Sequence, residues 1–204
     1  MATSRPTTRS ESAAVPALWI KGWYHFARSL RSPNFGPRPP ATAVKLIVLH
    51  SISLPPGQFG GDEVQQLFTN QLPAQAHPYF ETIQALKVSA HFYIRRGGEL
   101  WQFVSCDDRA WHAGVSSFEG CANCNDFSVG IELEGLEGDP FEPDQYVTLS
   151  ALCAAIAQHY PVEHITGHEH VAPGRKFDPG PGFDWQRLQA ALGWSPTRFP
   201  GTSR

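Results

Sequence analysis

Two short apolar runs constrain the fold of this chain more than any other feature of its sequence. They are VKLIVL at 44–49 and FSVGIEL at 127–133, and both contain β-branched residues. A nearly continuous apolar run of this length, bounded by turn-forming residues, is typical of a strand that is covered on both faces. The runs therefore predict a sheet whose central strands are packed between other elements.

The segments between these runs alternate between strand and helix patterns. The segments 89–95 and 99–104 flank Arg96-Gly97-Gly98, which predicts a hairpin because glycine adopts positive φ without steric cost. Interleaved strands and helices predict an α/β class, with one domain built on a mixed β-sheet flanked by helices. Three helices are predicted: one capped by Asp62 with Gln65 three residues later, one over 144–160 behind Pro143, and one from a cap at Asp184 to Gly193.

The length and composition indicate one loop-rich domain. A chain of 204 residues fills one core, and its 18 glycines and 18 prolines exceed the usual combined share of roughly 12%. We expect a flexible N-terminal tail at 1–18, the folded domain at 19–196 and a C-terminal tail at 197–204. We also expect a monomer.

Charge and hydropathy exclude several classes of protein. The net charge of −3 and the lack of a long basic run give no reason to expect a nucleic-acid partner. No segment reaches the roughly 20 apolar residues that span a bilayer, so no membrane partner is expected. The apolar cluster at 13–20 is interrupted by Pro16 and is not typical of a secretory signal, so we expect a cytoplasmic protein.

Four cysteines, at positions 106, 121, 124 and 153, are expected to be free thiols. Cys121 and Cys124 form a C-x-x-C pair, which occurs in zinc and redox sites. A structural zinc site would need a second matched pair, and a redox site would need a βαβ setting. Neither is found, so free thiols remain the preferred interpretation.

Nine histidines are present, and the position of His50 is the most informative. It stands at the end of the first apolar run, where side chains emerge from a sheet toward loops that commonly form sites. A single histidine is more often a core or surface residue than a ligand. The case for a site therefore depends on other residues.

Those residues lie in the segment TGHEHVAPGRKFDPGPG at 166–182. Its proline and glycine turns can aim His168, Lys176 and Asp178 at one point. Two histidines and a carboxylate are protein ligands typical of a catalytic zinc, with the fourth position left for water. We therefore predict a Zn²⁺ site at His50, His168 and Asp178. Lys176, two residues from Asp178, would lie on the same side and stabilise an oxyanion.

Glu132 lies inside the second apolar run, where a carboxylate is costly unless it has a partner or a task. One task is that of general base beside the zinc. An ion pair with an arginine at a strand edge is an equally good interpretation. Glu134 shares the same strand face and is an alternative base.

Six segments resemble the zinc N-acetylmuramoyl-L-alanine amidases of the 1,6-anhydro-muropeptide type, a family related to peptidoglycan recognition proteins. The resemblance extends over about residues 20–194. The segments are GWYHFARSLRSPNF (22–35), LHSISLPPGQFGG (49–61), VSAHFYIRRGGELWQFV (88–104), DRAWHAGVSSFEG (108–120), CNDFSVGIELEG (124–135) and TGHEHVAPGRKFDPGPGFDW (166–185).

The resemblance implies that His50, His168 and Asp178 bind zinc and that Glu132 and Lys176 are catalytic, and it favours Glu132 over Glu134. The implied reaction is hydrolysis of the amide between the lactyl group of 1,6-anhydro-N-acetylmuramic acid and L-alanine. The substrate would be a small muropeptide in cytoplasmic peptidoglycan recycling.

Five residues are candidates for substrate binding. Trp111 and His112 offer aromatic faces to a sugar, although packing of Trp111 against the sheet is an equally good interpretation. The other three differ from the residues that the family commonly has. Ser51 replaces an asparagine and Asn123 replaces a basic residue. Lys87 replaces an arginine, which keeps the positive charge but not the guanidinium group that binds a carboxylate through two hydrogen bonds. Because of these replacements, the sequence does not predict whether the protein prefers peptides that contain diaminopimelate.

Two alternatives remain open at this point. One is a non-catalytic module that binds peptidoglycan fragments, since relatives of the fold bind without cleaving. The other is the same chemistry on intact wall polymer outside the cytoplasm, which would require an export signal.

Overall fold

The computed structural model describes residues 17–201. Residues 1–16 of the predicted N-terminal tail and residues 202–204 of the predicted C-terminal tail lie outside this range. Near the C-terminus, Phe199 is only 9% exposed and packs into the main core. The packed region therefore extends beyond the boundary that we predicted at residue 196.

The described residues form short peripheral strands and a set of longer central ones. The strands are β1 (Trp19–Ile20), β2 (Trp23–Tyr24), β3 (Arg28–Ser29), β4 (Phe35–Pro37), β5 (Leu46–Ile52), β6 (Phe92–Ile94), β7 (Leu100–Gln102), β8 (Asp108–Ala110), β9 (Ser117–Phe118), β10 (Cys121–Ala122), β11 (Ser128–Glu134) and β12 (His164–Gly167). The helices are α1 (Glu63–Phe68), α2 (Pro78–Ile83), α3 (Pro143–His159), α4 (His168–Val171) and α5 (Trp185–Leu192), with single 3₁₀ turns at Ala74–Ala76, Cys124–Asp126 and Pro196–Arg198.

A six-stranded sheet in the order β12-β5-β11-β6-β7-β3 forms the centre of the domain. The strands β12, β5, β11 and β6 are mutually parallel, β7 is antiparallel to β6, and β3 is parallel to β7. The predicted mixed sheet is therefore confirmed. The two apolar runs become its central strands β5 and β11, which are paired with each other along their full length.

The two faces of this sheet have different coverings. Ile47, Leu49, Ile131 and other apolar side chains of β5 and β11 form one buried cluster with Leu149 of α3 and Leu188 of α5. On the opposite face, Leu46 and Val48 pack with Val171 of α4, and Tyr93 packs with Val64 and Leu67 of α1. Helices flank the sheet on both sides, as the sequence predicted.

The predicted local signals are mostly confirmed. The hairpin of β6 and β7 turns at Gly98, whose φ of +80° requires glycine. The last helix begins behind Asp184, whose side chain accepts a hydrogen bond from the amide of Arg187 at 2.9 Å, and ends at Gly193 with φ of +63°.

The predicted capping box at Asp62 is wrong. Helix α1 begins directly after Asp62, but the side chain of Asp62 accepts no capping hydrogen bond. Its Oδ1 atom instead accepts a bond of 2.5 Å from the guanidinium of Arg95. The same oxygen also accepts a bond of 3.3 Å from Nε2 of Gln65, so Asp62 and Gln65 pair through their side chains and not through the helix amides.

All four cysteines are free, as predicted; Cys106, Cys124 and Cys153 are buried and Cys121 is exposed. Within residues 17–201, no helix combines the length and the apolar character needed to cross a membrane.

Candidate metal and catalytic site

The register of the parallel strands places the candidate residues in one row. Glu132 on β11 lies opposite His50 on β5 and beside Tyr93 on β6. Gly167, the last residue of β12, lies opposite Leu49, so His168 follows at the level of His50. Because side chains alternate between faces along a strand, residues at one level in a parallel sheet point to the same side. The row lies toward the carboxyl ends of the strands.

Two of these side chains, those of His50 and His168, converge with Asp178. The Nδ1 atoms of His50 and His168 are 3.0 Å apart, and each lies 3.1 Å from Oδ2 of Asp178. All three residues are buried. Two imidazole nitrogens and a carboxylate oxygen facing one another are a donor set that suits a metal ion such as zinc. The structure thus contains a buried His-His-Asp cluster that is able to hold a metal ion.

The ionisation of this cluster also suits a metal. Burial and the neighbouring His168 lower the pKa of His50 to about 4, so its ring is neutral near pH 7. Burial alone would raise the pKa of Asp178, but the neighbouring imidazoles of His168 and His50 outweigh it and hold this pKa below its usual range. A neutral imidazole and an ionised carboxylate are the protonation states in which both groups act as ligands.

Glu132 differs from Glu134 in the partners of its carboxylate. In Glu134, Oε1 accepts from the amide of Gly60 at 2.5 Å and Oε2 from the amide of Arg96 at 2.9 Å. In Glu132, by contrast, Oε2 is buried with no hydrogen-bond partner among residues 17–201. Glu134 therefore holds two loops in place, whereas Glu132 has an oxygen available for a proton.

The environment of Glu132 favours its neutral form. Burial, and then the charge of Asp178, raise the pKa of Glu132 well above the ordinary value, while the charge of Lys176 acts in the opposite direction. A carboxyl group tuned in this way is typical of a general acid–base residue. Neither oxygen forms an ion pair with arginine in the described part of the chain.

A cavity of about 430 Å³ opens beside this row. Lys176 and Asp178 both line it, while Phe177 between them is 61% exposed, as expected for an extended chain. The predicted substrate-binding residues Ser51, Trp111 and His112 also line the cavity, together with the apolar residues Leu54, Leu67, Phe68, Ile83, Leu86 and Val88.

The other two predicted substrate-binding residues lie outside this lining. Lys87 is exposed between the lining residues Leu86 and Val88. Asn123 is exposed in a left-handed conformation with φ of 57°, in the loop before the Cys124–Asp126 turn. The structure therefore brings three of the five predicted residues to the cavity and leaves two beyond it.

Several residues that the sequence did not single out contact the site. Asn125 and Arg175 hydrogen-bond to the backbone at His112 and Ala113, next to the metal-ligand candidates. Arg175 is far along the chain from the backbone that it contacts, and Asn125 lies in an irregular loop. The spacing of residues in the sequence therefore does not indicate either contact.

Comparisons with known proteins agree with this geometry. Residues 40–181 match the profile of the family described as N-acetylmuramoyl-L-alanine amidase. The chain is 50% identical over 177 residues to the 1,6-anhydro-N-acetylmuramyl-L-alanine amidase AmpD of Citrobacter freundii, which covers 86% of this chain and 95% of that protein.

Solved structures give the same picture. A crystal structure of a selenomethionine derivative of AmpD superposes with a TM-score of 0.84 at 49% identity, covering 86% of this chain and 99% of that one. A complex of the amidase AmiD from Escherichia coli with anhydro-N-acetylmuramic acid-L-Ala-D-γ-Glu-L-Lys superposes with a TM-score of 0.55 at 28% identity, covering 76% and 60%. The chain therefore belongs to the N-acetylmuramoyl-L-alanine amidase family.

Proposed function

We propose that this amidase uses a zinc ion held by His50, His168 and Asp178 to hydrolyse small anhydro-muropeptides. The bond cleaved joins the lactyl group of 1,6-anhydro-N-acetylmuramic acid to L-alanine. The observation that carries the proposal is the buried His-His-Asp cluster next to Glu132 in a cavity. Over 177 aligned residues, the chain is 50% identical to an amidase named for this substrate.

The donor set favours zinc over harder cations. Calcium and magnesium prefer sites made only of oxygen ligands, whereas zinc is commonly held by imidazole nitrogens with one carboxylate. Three protein ligands leave a fourth position open, which is typical of catalytic rather than structural zinc. When bound, zinc supplies Lewis acidity to the scissile carbonyl and to the attacking water.

Glu132 is the residue that moves the proton. Glu132 lines the same cavity as the metal ligands, and its Oε2 atom has no hydrogen-bond partner among residues 17–201. Burial raises its pKa above that of an ordinary glutamate. It takes a proton from the attacking water and then delivers it to the nitrogen of the departing L-alanine, so the carboxylate is regenerated. General acid–base catalysis of this kind contributes about 10²–10⁴-fold in rate.

Lys176 stabilises the charge that forms on the carbonyl oxygen. Its half-buried side chain lines the cavity beside Asp178, and its positive charge acts on both Glu132 and His50. A cation fixed near the tetrahedral oxyanion lowers the barrier more than it stabilises the uncharged amide.

The cavity suits a substrate with an apolar and a polar part. Trp111 and the apolar wall of Leu54, Ile83 and Val88 offer surface to the anhydro sugar, and Ser51 lies beside the metal ligands. Lys87 and Asn123, on the exposed surface, would contact only a peptide that extends out of the cavity. In the AmiD complex the bound molecule is an anhydro-muramyl tripeptide, which supports the same substrate class here.

The remaining features follow from this substrate. Anhydro-muropeptides are small turnover products, so we place the enzyme in cytoplasmic peptidoglycan recycling, acting as a monomer. The catalytic unit is the domain that we predicted at 19–196, together with the packed segment that follows it as far as Phe199. Cell fractionation tests the compartment, and recovery outside the cytoplasm would favour action on intact wall polymer.

Mass analysis of products tests the reaction itself. The native protein is expected to convert anhydro-muramyl tripeptide into anhydro-N-acetylmuramic acid and free tripeptide. The Glu132→Gln variant should bind the same amount of zinc and cleave about 10²–10⁴-fold more slowly. Binding of the muropeptide without cleavage by the native protein would contradict the proposal and indicate a binding module. Unchanged turnover by the variant would contradict the role of Glu132.

A further inference from the structure

In both histidines, Nδ1 is the ring nitrogen that faces Asp178. The orientation of each ring therefore depends on the group that contacts its other nitrogen, Nε2. Nε2 of His50 lies 2.9 Å from Nδ1 of His112, and Nε2 of His168 lies 3.0 Å from the carbonyl oxygen of Ala113. Both partners belong to the dipeptide His112–Ala113. A single two-residue segment therefore contacts the outer edge of both rings.

These contacts fix the proton positions on the rings. The carbonyl of Ala113 only accepts, so Nε2 of His168 carries the proton and Nδ1 keeps its lone pair for a metal. A metal at Nδ1 of His50 would require the same tautomer in that ring, with Nε2 donating to Nδ1 of His112. The neutral ring of His112 then carries its own proton on Nε2, which lies 3.2 Å from Oγ of Ser128.

The space for the His112 ring comes from β11. A Cβ atom built on Gly130 would lie 2.4 Å from Cγ of His112, which is closer than any real contact. Gly130 does not have positive φ, so its conformation does not require glycine. The absence of a side chain allows the His112 ring to lie flat against the strand, behind His50.

The backbone of the dipeptide is held from two directions. Oδ1 of Asn125 accepts from the amide of His112 at 3.2 Å and from the amide of Ala113 at 2.8 Å. From the other side, Nη2 of Arg175 donates to the carbonyl oxygens of Ala113 and Val115, both at 2.7 Å. Nη2 of Arg175 also lies 3.5 Å from Nε2 of His168, so Arg175 and His168 meet at the carbonyl of Ala113, whereas Asn125 holds the segment without contacting a metal ligand.

Given the zinc site proposed above, we infer that His112–Ala113 is a positioning element that orients both histidine ligands, and that Asn125 and Gly130 hold it in place. Hydrogen bonds to the outer nitrogen of a ligating histidine fix its tautomer and raise its basicity, and losing them costs about 10–100-fold in metal affinity. His112 acts through His50 and is not itself a ligand.

Zinc affinity of the full chain, measured by competition with a chromophoric chelator, tests this inference. His112→Phe keeps the ring volume but removes the acceptor, and we expect zinc binding to weaken about 10–100-fold. His112→Asn places Oδ1 near the former Nδ1 and should recover most of the affinity. The absorption spectrum of the cobalt-loaded protein should shift in His112→Phe only, which general destabilisation would not cause.

A second pair of variants applies if His112→Phe does not fold. Gly130→Ala pushes a methyl group into the His112 ring, whereas Gly97→Ala meets nothing within 4 Å. We expect weaker zinc binding in Gly130→Ala and in Asn125→Ala, and native affinity in Gly97→Ala. Native affinity in all these variants would overturn the inference. If the native protein itself binds no zinc, the proposed function fails instead.

Discussion

The two faces of strand β11 carry alternate residues of one short sequence and have opposite properties. Val129, Ile131 and Leu133 are fully buried in the apolar core beneath α3 and α5. Ser128, Gly130, Glu132 and Glu134 point the other way, toward the histidines and the loops around the cavity. The strand β5 repeats the division, with Leu49 on the first face and His50 on the second.

The pairing of β11 with β5 places the site residues, and the His112–Ala113 contacts then orient the two histidine rings. A slip of one residue in the β5–β11 register would move Glu132 away from His50 and would also break the apolar core. Burial on the first face therefore fixes the geometry on the second. Stability and chemistry should then be separable by substitutions at adjacent positions.

The largest effect is expected on the apolar face. Leu133→Ala removes a fully buried side chain and should lower the free energy of unfolding by about 2–5 kcal/mol, because a cavity remains. Urea denaturation measures the loss, and zinc content per folded molecule should stay at the native level. A variant as stable as the native protein would show that this face does not support the site.

On the polar face, Lys176→Met should lower kcat by about 10²–10³-fold with little change in stability, since the lost group acts on the transition state. Steady-state kinetics on an anhydro-muropeptide measures this change. Lys45→Met is a suitable control, because Lys45 is exposed at the far end of β5 in an ion pair of 2.9 Å with Glu163. Equal kcat in the two variants would remove Lys176 from the mechanism.

A smaller effect concerns pH, because the polar face carries a buried histidine outside the metal cluster. Nδ1 of His91 accepts from the amide of Gly130 at 3.0 Å, and burial together with the charge of Arg38 lowers the pKa of His91 to about 3. Between pH 3 and the unfolded pKa of about 6.5, the unfolded chain binds a proton that the folded chain does not. Stability contributed by this residue is complete above that window and is lost as the pH falls through it.

Within this window, the titration of His91 alone changes the free energy of unfolding by up to about 1.4 kcal/mol per pH unit. Urea denaturation at several pH values should therefore show that the free energy of unfolding falls less steeply with acidification in His91→Gln than in the native protein. An equally steep fall in the two proteins would mean that His91 takes up its proton in the folded state as it does in the unfolded state.

The sequence predicted the elements of the site better than their arrangement. The strands at 44–49 and 127–133, the helix behind Pro143 and the grouping of His50, His168 and Asp178 all follow from local patterns. The pairing of β11 with β5 does not, because it depends on how distant segments pack. For the same reason, residue patterns alone kept Glu134 as an alternative to Glu132, and only the family resemblance favoured Glu132. In the structure, the carboxylate of Glu134 accepts two backbone hydrogen bonds.

Loop contacts were the least predictable part. The bonds from Asn125 to the His112–Ala113 backbone depend on a 3₁₀ turn at Cys124–Asp126, and the position of Asn123 depends on a left-handed conformation just before it. Neither has a periodic signal in the sequence. Asp62 illustrates the opposite case: its capping signal is clear, but its side chain bonds to Arg95 and Gln65 and not to a helix amide.

We propose that His50, His168 and Asp178 form the catalytic metal site of this amidase. The most direct measurement is mass analysis of the products from an anhydro-muropeptide before and after zinc removal, with the metal content verified. We expect cleavage to stop when zinc is removed and to return when zinc is restored to the folded protein. Cleavage that persists at the native rate after verified removal would contradict the claim.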